Sequence, residues 1–267
     1  CHEVVNGLMS RPDKKKLPIC FLPNGSGNDL CGSLELNDFE TGLNALVKGQ
    51  IIKVDLFKIL LDHENENTIT GNKIDFMRYC IINSSLLLVG SSARKAVPLK
   101  PYVGKKAYTI TAIFEILRMF VGKYDIDIDN GQQILKDVET QYMQVYNGKF
   151  GGGRIMLNPL GLINDGYMEL VFIKQLFGGL GWPVKALGMF HYAKNGGTHF
   201  YDNDFVCMRC KAIKLTNKTV DPQSKKVTQD INIDGEDLRF TNFAKWEILP
   251  SELEIIVDFD RIINKTY

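Results

Sequence analysis

From Ile51 onward the chain is a succession of short β-rich runs, set too close together for the helical crossovers that parallel pairing requires. IIKVDLFKILLD and FMRYCIINSSLLLVG come first, separated by the polar segment His63 to Lys73. Later come YDIDID, TQYMQVYN, RIMLNP, YMELVFI, FVCMRCKAIKL, DINID, RFTN and LEIIVDF. Turn pairs such as Asn130-Gly131, Asn147-Gly148 and Asp165-Gly166 punctuate them, so the spacing predicts an antiparallel sandwich. Helical periodicity breaks the series at 105–121, with Ala112, Ile113, Ile116 and Phe120 in its apolar stripe, and again from Gly178 to Lys194.

The first fifty residues read differently. Val4, Val5, Leu8 and Met9 give residues 2–10 one apolar helical face, closed by Pro12. Leu17 to Leu22 is a short apolar run bounded by charge and by Pro23, which predicts a buried strand. A glycine-rich turn follows, then helices from about Asn28 to Leu34 and from about Asp38 to Lys48. The pattern therefore changes near residue 52, from an α/β layer to a mainly antiparallel β domain. The chain opens with Cys1 inside an apparent helix, so a segment upstream of it is expected.

Composition excludes several classes. The formal charge is +1 over 267 residues, which gives no global field for nucleic acid. No run reaches the ~20 apolar residues that a membrane-crossing helix needs. Six cysteines without scaffold-like spacing point to a reducing, intracellular setting, in the cytoplasm or at a membrane periphery; an organelle such as the mitochondrion stays open. Cys207 and Cys210 lie three apart in a strand-like run, on opposite faces, and read as structural. The four histidines have no ligand spacing, and there is no G-x-S-x-G elbow.

Two segments carry chemistry. In FLPNGSGNDLCGSL, Gly25 and Gly27 let the backbone turn sharply next to a ligand, Ser26 and Asn28 add donors, and the helix start that follows suits a phosphate. In DINIDGEDLRF, Asp234 and Glu236 flank Gly235 after an alternating strand, and two carboxylates there can act as a base and as a metal or ribose contact. A D-G-E sequence is also a common hairpin turn. In KQLFGGLGWPVKALGMF the apolar residues Phe177, Trp182 and Leu187 read either as a packed helical hairpin or as a lipid-facing surface.

HEVVNGLMSRPD, PICFLPNGSGNDL, GKKAY, the GGG to NDGYMELVFI block and IDGE stand in an order that resembles the sphingosine kinase and diacylglycerol kinase catalytic family over nearly the whole chain. The resemblance implies an α/β nucleotide-binding layer (1–51) followed by a β-sandwich lipid-binding domain (52–267), and ATP- and Mg²⁺-dependent phosphorylation of a lipid alcohol. It assigns Asn24, Gly25, Ser26, Gly27, Asn28 and Gly235 to nucleotide, Asp29 and Asp55 to a magnesium network, and Asp234 with Glu236 to the reaction centre. Arg94 falls where sphingosine kinases resemble one another in having an acid, so a neutral diacylglycerol or ceramide is expected over a free sphingoid base. The partner implied is a lipid substrate at a membrane surface, without nucleic acid. The family's glycine-aspartate-glycine loop would lie just before Cys1, and its absence from the sequence keeps a second reading open: a silent homologue serving as a structural or lipid-binding subunit of a larger assembly.

Overall fold

The computed structural model describes residues 1–13, 15–25, 27–63, 74–174 and 182–263. Three helices open the chain: α1 (His2–Met9), α2 (Asp29–Ser33) and α3 (Phe39–Lys48). Helix α3 starts where Asp38 accepts from the Thr41 N–H while the Thr41 hydroxyl accepts from the Asp38 N–H, a reciprocal cap that satisfies two orphan donors. Gly49 ends it in the left-handed conformation, the usual helix stop.

Next come β1 (Gln50–His63), β2 (Ile74–Cys80), β3 (Asn83–Leu86), α4 (Leu87–Ala96), α5 (Lys100–Val103) and α6 (Lys106–Arg118). The chain continues with β4 (Gly122–Ile128), β5 (Gln133–Thr140), β6 (Tyr142–Tyr146), β7 (Phe150–Gly151), β8 (Ile155–Met156) and β9 (Met168–Ile173). It ends with α7 (Trp182–Lys194), β10 (Phe205–Cys210), β11 (Ala212–Asn217), β12 (Gln229–Ile233), β13 (Glu236–Phe240), β14 (Phe243–Val257) and α8 (Phe259–Ile263).

Twelve of the strands form two antiparallel sheets, ordered β2-β1-β14-β11-β4-β5 and β10-β9-β6-β3-β12-β13, and β7 pairs with β8 separately. Phe57, Ile59, Leu61 and Trp246 from the first sheet share one core with Met143, Val145, Leu170, Phe172 and Ile231 from the second, so the sheets pack face to face as expected. Strands β1 and β14 carry a second core on their other face, where Val54, Leu56, Leu253, Ile255 and Val257 meet Val5, Leu30, Leu34 and Ala45 of the N-terminal helical layer. A third cluster covers the outer face of the second sheet, with Leu88, Ile116, Trp182 and Met189 of α4, α6 and α7 on Tyr142, Tyr146 and Val171.

Three expectations need correction, and one strand gave no sequence signal. Leu17 to Leu22 is not a buried strand: it makes one parallel bridge, Ile19 to Ile255, with Leu17 and Leu22 exposed, because Pro18 and Pro23 remove ladder donors. FMRYCIINSSLLLVG is not strand throughout, since α4 begins at Leu87. Gly90 allows that turn of helix to lie on the sheet, because a Cβ there would meet the Ser85 carbonyl oxygen at 2.6 Å. FVCMRCKAIKL is two strands in different sheets, parted at Lys211. The polar run at β5 hides an edge strand, whose residues are mostly exposed and so lack an apolar signature.

Asp62, buried at the end of β1, accepts from the N–H groups of Thr241, Asn242 and Phe243 and so closes the β13–β14 turn. Asp62→Ala leaves three donors unpaired and is expected to cost roughly 2–4 kcal/mol in urea unfolding. A loss below about 0.5 kcal/mol would show that the turn holds without it.

Candidate functional site

The turn between β12 and β13 is a two-residue loop, Asp234-Gly235, with φ of 50° and 103°, the left-handed pair for which Asp-Gly is a favoured choice. Its carboxylate points inward. Asp234 Oδ2 accepts from Ile81 N at 2.8 Å, and Oδ1 accepts from Ile82 N at 2.8 Å, Asn83 N at 3.2 Å and the Cys80 thiol at 3.1 Å. His2 Nδ1 of α1 stands 3.6 Å from Oδ2, and the Asp234 side chain is fully buried. Several charge-assisted bonds at ~1.5–3 kcal/mol each can offset the several kcal/mol cost of burying a carboxylate. Burial and the adjacent carboxylate push the Cys80 thiol well above its usual range. Asp234 thus fastens the β2–β3 bend and the start of α1 to the turn, while Gly235 and Glu236 face solvent.

Asp55 sits where the β1–β14 register slips, opposite the three unpaired residues 250–252. Fully buried, it accepts from Gly166 N and Ser251 N, both at 2.7 Å. Its own N–H donates to Ile163 O, and its carbonyl accepts from Asn147 Nδ2, which also donates to Ile81 O. One polar chain therefore runs from the 234–236 turn through Ile81 and Asn147 to Asp55.

Asp29 is the third clamp. It opens α2 and accepts from Gly153 N at 3.0 Å and Arg154 N at 2.6 Å. Those N–H groups belong to a turn with positive φ at Gly152, Gly153 and Arg154, so successive donors converge on one anion, here the carboxylate itself. Burial raises the Asp29 carboxyl above its ordinary value against the opposing pull of these N–H bonds. Asn24 and Gly25 are exposed, and Asn28 bends its Oδ1 back onto Gly25 N at 2.7 Å, closing the glycine loop on itself. Ser26 lies outside the described residues.

The loop and the turn meet the same short hairpin. A Cβ on Gly27 would stand 3.8 Å from Gly153 N, a Cβ on Gly151 would stand 3.3 Å from Asn83 Nδ2, and the Asn83 carbonyl accepts from Asp234 N at 3.0 Å. Residues 150–154 thus bridge two segments about two hundred positions apart.

The lipid-side residues are not gathered in this way. Arg94 on α4 is bound at 2.6 Å to Asp230, which also takes Arg239 at 3.2 Å, so its charge is already partnered. Trp182, the first residue of α7, is buried and Leu187 of the same helix is exposed; Phe177 lies outside the described residues. For a metal, the described residues offer no group of three His, Cys, Asp or Glu, and Asp29 and Asp55 have spent their oxygens on backbone donors. This donor set does not fit a preformed magnesium site.

Sequence reasoning missed His2, Asn147, Asn158, Asp237 and Glu169. Glu169 is buried on the outer face of β9, where Oε2 accepts from Asn158 Nδ2 at 3.0 Å and Oε1 has Arg209 Nε at 3.6 Å. Burial pushes its carboxyl up to about 7. Asn158 in turn donates to Gly148 O, tying the loop that carries Gly153 to the sheet. A charged residue inside the apolar run YMELVFI was the one signal available.

Comparisons with known proteins agree with this architecture. Residues 1–59 match the diacylglycerol kinase catalytic domain model. A probable lipid kinase YegS-like protein of Shewanella frigidimarina is 26% identical over 96% of this chain and 72% of its own length. A protein of the same description from Yersinia pestis is 28% identical over 63% of this chain, a match spanning about half (52%) of that relative. Among solved structures, a putative diacylglycerol kinase from Bacillus anthracis superposes with a TM-score of 0.64 at 20% identity, covering 96% of this chain and 74% of that one. A second crystal structure of a diacylglycerol kinase from the same organism gives 0.65 at 19% identity. The fold is that of the diacylglycerol-kinase-like proteins, an α/β layer on a β-sandwich. In sequence the chain is similar to proteins described as probable lipid kinases and, over residues 1–59, to the diacylglycerol kinase catalytic domain, as its motifs suggested.

Two outcomes follow from the geometry. Asp234→Asn turns an acceptor into a donor facing backbone N–H groups, so it should cost roughly 2–4 kcal/mol of stability, measured by urea unfolding; an unchanged midpoint would mean the clamp is dispensable. Glu169 binds its proton more tightly folded than unfolded, so its contribution to stability is full below the ordinary carboxylate range and falls as pH rises toward about 7. Glu169→Gln should flatten that decline in thermal unfolding between pH 5 and 8. A variant whose melting temperature follows the same pH curve as the parent would refute this.

Proposed function

We propose that this chain supplies the lipid-binding sandwich and part of the nucleotide-facing edge of an ATP-dependent lipid kinase. The observation that carries the reading is the meeting of the Gly25–Gly27 loop and the 234–236 turn on residues 150–154, at the edge that also holds the family-matched segment 1–59. A phosphoryl transfer chiefly needs positioned oxygens and neutralised charge. In this reading the accessible loop receives phosphate, and Asp234 is a positioning residue that aims Glu236 and Gly235 outward. Glu236 is the exposed carboxylate open to a substrate hydroxyl, while the half-buried Asp237, raised by burial, already accepts from Asn232 Nδ2 at 2.7 Å. Asp29 and Asp55, with their oxygens held by backbone N–H groups, do not make a metal cage.

The surface of α5, α6 and α7 supports a lipid substrate presented at a membrane. Tyr102, Phe114, Leu117, Val184 and Leu187 are exposed, and Lys100, Lys105 and Lys106 lie among them, a composition suited to an interfacial surface. No helix among the described residues is long and apolar enough to cross a bilayer. A neutral diacylglycerol or ceramide remains the preferred substrate over an amine, since Asp230, the acid bonded to Arg94, is already held by two guanidinium groups. The second reading, a catalytically silent homologue, is favoured by the same three aspartates: each serves the backbone rather than open solvent.

Transfer of labelled phosphate from ATP to diacylglycerol, ceramide or sphingosine in mixed micelles separates the two. A kinase should label a neutral lipid, and Glu236→Gln should lower turnover by ~10²-fold without altering the melting temperature. No labelling of any lipid, with vesicle binding intact, would establish the silent form.

A further inference from the structure

A cleft of about 750 Å³ opens between the two sheets along one side of the sandwich, between the edge strand β5 and strands β9 and β10. It lies against the inner faces of the sheets, whereas α4, α6 and α7 lie on the outer face of the second sheet. Its size falls within the ~300–1,000 Å³ range of small-molecule sites.

The walls follow from a bulge. Lys136 and Asp137 together oppose Asp125, and Asp137 has φ of 52°, with its N–H donating to Asp125 Oδ1 at 2.9 Å. The extra residue brings Leu135 and Val138, three apart, onto the same inner face, where simple alternation would send one outward. Opposite them stand Phe172, Val206 and Met208. These five side chains are apolar, and Gln133, Lys136, Asp137, Glu139 and Lys174 supply the polar part of the lining.

The rim has a sign. Asp137 is countered by Lys123 at 3.2 Å and Lys218 at 3.8 Å, and Glu139 by Lys123 at 3.8 Å. Lys136 and Lys174 also line the cleft, and among the described residues neither has an ion-pair partner within 4 Å. An apolar slot with two ammonium groups at its mouth, neither within 4 Å of a carboxylate although Lys136 also feels Asp125, matches an alkyl chain that ends in an anion. We propose that this cleft binds a single-chain anionic lipid, with the chain between the sheets and the head at Lys136 and Lys174. The site is separate from the proposed kinase centre and does not depend on that reading.

Laurate, dodecanol and dodecyltrimethylammonium, each below its micelle concentration, would be titrated into the protein by calorimetry. Laurate should bind about three- to tenfold more tightly than dodecanol, the scale of one or two partly exposed charge pairs, and the ammonium compound least. Val206→Trp, which fills the slot, should weaken laurate by at least about tenfold, and Leu135→Trp from the other sheet gives the same reading if the first variant folds poorly. Lys136→Glu with Lys174→Glu should abolish the preference for laurate over dodecanol while leaving dodecanol binding in place. No laurate binding, binding untouched by both tryptophans, or a charge preference that survives the double lysine change would each overturn the proposal.

Discussion

The carboxylate of Asp55 holds together parts of the molecule that share no sequence neighbourhood. It sits at the slip between β1 and β14, the two strands that serve the sandwich core with one face and the helical core with the other. Its two oxygens fix Ser251 within β14 and Gly166 in the loop before β9, and its own peptide group takes Ile163 and Asn147. Without that junction, the two cores would lose the point at which the loop between β6 and β9 is registered against both. The same loop carries the 150–154 hairpin, so the candidate site inherits its geometry from a residue that does not face it.

Asp29, Asp55, Asp62 and Asp234 all use one device, a carboxylate gathering backbone N–H groups from a distant turn. In a sandwich built of many short strands, each turn leaves donors that no ladder satisfies, and a buried acid is an efficient collector of them. Three of these aspartates are also the ones that motif reasoning assigns to metal or catalysis. In this chain, architecture and chemistry compete for the same oxygens, and the exposed Glu236 escapes that competition.

How much was legible in the sequence depended on whether a signal was local. Helices α1, α3 and α6 and most strands were visible because their apolar periodicity repeats within one element. Asp38 and Gly49 marked the limits of α3 by local chemistry alone. Helix α4 was not visible, since its sequence LLVGSSARKA continues an apolar strand and its reason for being helical is tertiary: small residues let it lie on Ser85 and Asp230. Strand β5 failed for the opposite reason, being a polar edge. At the site, the glycine loop and the Asp-Gly turn could be read, but not that Asp234 turns inward, because its partners at 80–83 come from another sheet connection altogether. Arg94 was read as a free charge because Asp230 lies far away in sequence.

The pairing of β1 with β14 has a consequence for biosynthesis. Val5, Leu30 and Leu34 leave the ribosome more than two hundred residues ahead of Val257, the end of the strand that completes their core. At 5–20 residues per second, roughly ten to fifty seconds pass between them, during which β1 alone of the two strands can cover the first helices. A nascent chain with that delay is a natural client for a holding chaperone, and β14 acts as the closing half of a clasp whose first half was made long before.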